Sequence, residues 1–162
     1  MIKRLIVTIV LLISCLINIR AQVYVSSGHP QMDVVAKRAF VMGEQACIDL
    51  LITVHNSWSS VVFTNGSGPK YAPSIFDDEG NLYEGQYEHA SRGIGFNYDG
   101  QTYGYQGWLK VVKDVPRKIR IMVKGIDEYA TEFTSISLPY MGDASSNNEA
   151  KIVIKHLPLR RD

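Results

Sequence analysis

In residues 46–56 the side chains of Ile48, Leu50, Ile52 and Val54 recur at every second position, and in 118–124 Ile119, Ile121 and Val123 alternate with Lys118, Arg120, Met122 and Lys124. A period of two belongs to a strand with one buried face, because successive side chains of an extended chain point to opposite sides. A helix would spread the same residues around its axis. Shorter β-branched and aromatic runs occupy 34–41, 60–64, 72–76, 82–87, 93–98, 101–106, 131–138 and 150–157, broken by Gly, Asn, Asp and Pro, with Pro139 expected to stop the run that ends at 138. About nine strands, no large helix and short links predict an all-β chain, an antiparallel two-layer sandwich without a second domain or repeat.

The start of the chain does not belong to that fold. Lys3 and Arg4 precede the apolar run 5–13, which is too short for a membrane span of roughly 20 residues and reads as an export signal. A cut after Ala21 makes residues 1–21 a signal peptide and leaves 22–162 as a single domain of 141 residues. Leu12-Ile13-Ser14-Cys15 offers a competing lipidation box, with an anchor at Cys15. Leu16, Ile17 and Ile19 prolong the apolar run past that cysteine, which favours the cut at Ala21. The expected address is extracytoplasmic, with no transmembrane segment after signal removal.

Charge and cysteine content narrow the function classes. The whole chain carries 17 Lys and Arg against 16 Asp and Glu, and Lys3, Arg4 and Arg20 leave with the signal, so the exported part holds 14 against 16. A net charge of −2 argues against a dedicated nucleic-acid or anionic-membrane binder, which normally shows a basic excess. Cys47 is then the single cysteine, no internal disulfide can form, and its apolar strand marks it as a core residue rather than a reactive thiol.

Two hairpins are readable. Asp77-Asp78-Glu79-Gly80-Asn81 between apolar runs suits a solvated turn with Gly80 in the left-handed region. Asp99-Gly100 is a stronger signal, since a two-residue turn needs positive φ at both positions. It would set Tyr98 opposite Gln101, Phe96 opposite Tyr103 and Ile94 opposite Tyr105. One face becomes aromatic, and the other nearly bare backbone: Gly93, Gly95, Asn97, Thr102, Gly104 and Gln106. The segment 65–69 reads as a loop.

The segments Leu50-Leu51-Ile52-Thr53-Val54-His55-Asn56, Phe76-Asp77-Asp78-Glu79-Gly80-Asn81-Leu82-Tyr83, Val115-Pro116-Arg117-Lys118-Ile119-Arg120-Ile121 and Ala130-Thr131-Glu132-Phe133-Thr134-Ser135-Ile136 follow in an order that resembles the small immunoglobulin-like sandwich domains of exported bacterial proteins. The resemblance spans most of residues 33–138. It implies core strand, acidic hairpin, basic edge strand and penultimate strand, an extracytoplasmic address, and no catalyst.

Chemical motifs are sparse. The acids at 77–79 lack the alternating spacing and closing glutamate of a calcium loop. His29, His55, His89 and His156 stand singly, without zinc spacing. Gly-x-Ser-x-Gly is absent, and no acid pair sits in a glycosidase-like motif. No metal or other cofactor is implied. The basic stretch 110–124, net +5, either meets an acidic partner or, the simpler reading, guards a sheet edge. Tyr83, Tyr87, Phe96, Tyr98, Tyr103, Tyr105 and Trp108 crowd into 26 residues, with burial the plainer explanation and a contact platform the functional one.

The expectation is therefore an exported, non-enzymatic protein that recognises a protein partner at the cell envelope through Asn97, Tyr98, Tyr103, Tyr105 and Trp108. A carbohydrate-binding module or envelope accessory using Tyr83, Tyr87 and Trp108 on a glycan is the alternative, and a small hydrolase a distant third.

Overall fold

The computed structural model describes residues 22–64, 71–104, 106–143 and 149–161. The export segment with both of its cut sites, the 65–69 loop and Tyr105 lie outside the described residues. Among those described there are twelve strands and no helix: β1 (Tyr24–Ser26), β2 (Met32–Met42), β3 (Gln45–Val54), β4 (Ser60–Thr64), β5 (Ser74–Asp77), β6 (Leu82–Glu84), β7 (Ile94–Tyr98), β8 (Gln101–Tyr103), β9 (Gln106–Lys110), β10 (Arg117–Lys124), β11 (Glu132–Gly142) and β12 (Glu149–Arg160).

The strands form one sheet that curls on itself. In one half β11 has β12 on one flank and β5 and β4 in succession on the other, with β6 beyond β5, β9 beyond β4 and β1 beyond β12. The other half runs β2-β3-β10-β7-β8. The long β12 belongs to both. It pairs with β1 through Lys155, passes His156 at φ 57°, and then lays Leu159 and Arg160 alongside Ala39 and Phe40 of β2. A left-handed non-glycine residue marks a local break in an extended chain, and here it falls between the two pairings.

The contact with β2 is parallel, which corrects the expectation of a wholly antiparallel sheet. Two other expectations also change. Pro139 does not end β11, which continues to Gly142. The proline lies between Ser137, the last residue paired with β5, and Tyr140, the first paired with β4, so that flank demands no ladder there. The run 101–106 is not one strand, because β8 closes one half of the sheet and β9 opens in the other.

Alternation places the core as read. Ile48, Leu50, Ile52, Val54, Ile119, Ile121 and Val123 are fully buried, each such side chain contributing roughly 1.5–3 kcal/mol on removal from water. They meet side chains of the other half in one apolar cluster. The Phe63 ring of β4 stacks on Phe96 of β7 at 5.3 Å between centroids, direct contact between the halves. Cys47 is free and buried, and burial pushes its thiol above the ordinary range, as expected of a packed cysteine.

The acidic turn is only partly solvated. Gly80 takes φ 81° and the β5–β6 hairpin forms, but Asp77 is buried. Its carboxylate accepts bonds from the backbone of Glu79 and Asn81, from the Asn81 amide at 3.0 Å and from the Tyr83 hydroxyl at 2.7 Å. Four donors replace water for one buried charge. The tyrosine answers in kind, its pKa pushed up to about 12, first by burial and then by Asp77.

Candidate binding surface around the 94–110 segment

The turn that organises this surface is the one its two residues demand. Asp99 has φ 52° and Gly100 φ 80°, and the register sets Tyr98 opposite Gln101, Asn97 opposite Thr102 and Phe96 opposite Tyr103. Across the hairpin Tyr98 and Tyr103 stack at 4.7 Å with 16° between planes. On the other face the Asn97 amide donates to the Thr102 hydroxyl at 2.9 Å. Arg117 of β10 holds the turn from the side, one terminal nitrogen lying 2.8 and 3.0 Å from the Asp99 oxygens.

The structure separates the candidate contact residues. Tyr98 is 4% exposed and faces the core, so it braces the hairpin and cannot anchor a partner. Burial, then Tyr103 and Asp99, push its hydroxyl pKa well above the ordinary range. Tyr103 is half-buried, with its hydroxyl on Gln101. Asn97 is half-buried on the outer face. Trp108, on the outer face of β9, is 53% exposed.

The glycine face is not bare either. A β-carbon on Gly93 would meet backbone of Gln86 and Tyr87 at 2.6–2.9 Å, one on Gly95 would meet the Tyr87 side chain at 3.0 Å, and one on Gly104 would meet Glu88 at 3.3 Å. These glycines do permit close approach, but the occupant is the chain's own segment 86–88. The Tyr87 hydroxyl in turn donates to the Gln45 side chain.

A second feature lies on the outer face of the same half. β10 is paired with β3 along its length and with β7 from Arg120 to Val123, so Arg120 stands on an interior stretch and guards no edge, contrary to the simpler reading of the basic stretch, while Lys118 lies past the end of the β7 ladder. The register sets Asp49 of β3 opposite Arg120 of β10 on one side and Arg38 of β2 on the other. Asp49 is buried. It takes Arg120 at 2.7 and 3.1 Å, Arg38 at 3.0 Å and Lys118 at 3.5 Å. Burial raises its pKa, but the Arg120 and Arg38 hydrogen bonds and the nearby positive charges outweigh that and hold the carboxyl below the usual range. Both guanidiniums also lie over the Phe40 ring, at 4.5 and 5.2 Å.

This cluster escaped the sequence reading, although a lone acid on the outer face of the strongest core strand, with a row of cations elsewhere, was the available signal. His55 escaped it too. Its Nε2 lies 3.0 Å from Asp33 and its Nδ1 2.7 Å from Asp114, tying the starts of β2 and the β9–β10 link to the end of β3. Among the described residues no group of three or more His, Cys, Asp or Glu is arranged to hold a metal ion. No histidine ring nitrogen among them is hydrogen-bonded to a Ser, Thr or Cys side chain.

No family model matches the chain, and no curated protein matches it. Among solved structures, AggA, the major subunit of aggregative adherence fimbriae type I from Escherichia coli, is similar at a TM-score of 0.35 and 11% identity, over 89% of this chain and 98% of that one. A likeness that remote carries no functional argument.

Proposed function

We propose that this chain is an exported, non-catalytic immunoglobulin-like β-sandwich that recognises a protein partner at the cell envelope, with Trp108 as the anchor. The export pattern at residues 1–21 supports the address. The exposed indole of Trp108 carries the binding role, because a large rigid aromatic on a strand is the side chain that most often dominates a protein interface.

Its strand adds a second means of attachment. Among the described residues β9 pairs with β4 alone, and the bond from the Val111 amide to the Ser59 carbonyl sets the alternation of that ladder. The backbone groups of Gln106, Trp108 and Lys110 therefore turn away from β4, where a partner strand could take them up. The glycan reading is weaker, since Tyr83 is fully buried and contributes no stacking face.

The test is capture from envelope extracts by the protein and by Trp108→Ala, with crosslinking and mass spectrometry. Loss of the same captured protein in the variant, at unchanged melting temperature, supports the reading. Equal capture by both forms rejects it.

A further inference from the structure

We propose that the depression between the β7–β8 turn and β10 binds an oxyanion group, a sulfate, phosphate or carboxylate, through Lys118, Arg120 and Arg117. This does not rest on the protein-partner reading, because Trp108 lies on the outer face of the other half of the sheet. The depression has a volume of about 340 Å³, with Asn97, Asp99 and Gly100 on one side and Arg117, Lys118 and Arg120 on the other.

Charge balance leaves room for a ligand. Among the described residues Asp49 is the one carboxylate that meets Arg38, Lys118 and Arg120, so two positive charges beside it have no protein counter-charge. Arg120 is paired on both sides and has no edge to protect, and solubility does not require cations gathered around one buried acid. Within the depression itself three cations line the wall against Asp99.

The donors are also pre-set. Arg120 spends Nε and one terminal nitrogen on Asp49, which fixes the guanidinium plane and leaves the other terminal nitrogen for a ligand. Lys118 is more than half exposed and can swing its ammonium over the opening. Arg117 is held by Asp99, which is thus the built-in competitor: an arriving anion exchanges with that carboxylate. A fixed fork, a mobile point charge and a releasable arginine make a site for a group with several oxygens.

The test is titration of the 15N-labelled protein with sodium sulfate against sodium chloride at equal ionic strength, following backbone amides. Saturable, sulfate-specific shifts at residues 97–100 and 118–120 are expected. Lys118→Gln should weaken sulfate roughly two- to fivefold, the range for one partly exposed charge pair. Asp99→Asn should tighten it by a similar factor, since asparagine keeps the left-handed turn and removes the competing charge. Shifts that match those in chloride, or wild-type affinity in both variants, would overturn the proposal. A sulfated polysaccharide that binds much more tightly than free sulfate assigns the group to a polymer, and equal affinity assigns it to the free ion.

Discussion

The hydroxyl of Tyr98 on β7 occupies the space that a β-carbon on Gly107 of β9 would need. The two residues come from opposite halves of the curled sheet, and the contact closes the core where the chain crosses between them. The Tyr98 oxygen is buried and has no hydrogen-bond partner among the described residues. Gly107→Ala should therefore destabilise the protein by about 2 kcal/mol, within the usual cost of overpacking. Tyr98→Phe removes an unpaired polar atom and should change stability by less than about 1 kcal/mol. Urea denaturation of the double variant should show the Gly107→Ala penalty reduced, and equal penalties in both backgrounds would refute the close approach.

Removing Asp49 strands three cations. Asp49→Asn should cost about 2 kcal/mol, less than a fully buried ion pair because Arg38 and Arg120 remain partly exposed. The folded carboxyl titrates below its unfolded value, so its stabilisation is complete above that value, near pH 4, and is lost as pH falls through the lower folded one. Urea midpoints from pH 2 to 6 should fall less steeply in the variant. The slope will not vanish, since Asp78 and Asp143 are also held low, by hydrogen bonds that outweigh their burial.

His55 gives the opposite sign. Hydrogen bonds to Asp114 and Asp33 raise its pKa over the small opposing effect of burial. Its contribution is full below the ordinary histidine value of about 6.5 and is lost as pH rises through the higher folded value. An imidazole titration by NMR should give a midpoint above that of a model peptide, returning to it in Asp114→Asn with Asp33→Asn. An unshifted wild-type midpoint would show that the two carboxylates do not clamp the ring.

Local signals read well where local physics decides. The Asp99-Gly100 turn and its register follow from the positive φ those two residues tolerate, and the inward rows of β3 and β10 follow from period two. The fate of outward residues does not follow, because it depends on which strand lies alongside. Arg120 reads as an edge guard until β7 is seen beyond β10. Gly93 and Gly95 read as an open face until segment 86–88 is seen across them.

The residue order by itself determined the strand-rich class, the buried face of each long strand and the tight turns. Each rests on interactions within a few positions along the chain. Tertiary structure alone decided that β12 bridges both halves, that Tyr98 faces inward while Trp108 faces water, and that Asp49 gathers Arg38, Lys118 and Arg120. Those outcomes depend on contacts between segments far apart in sequence, and period two reports which side of a strand is buried but not what stands next to it.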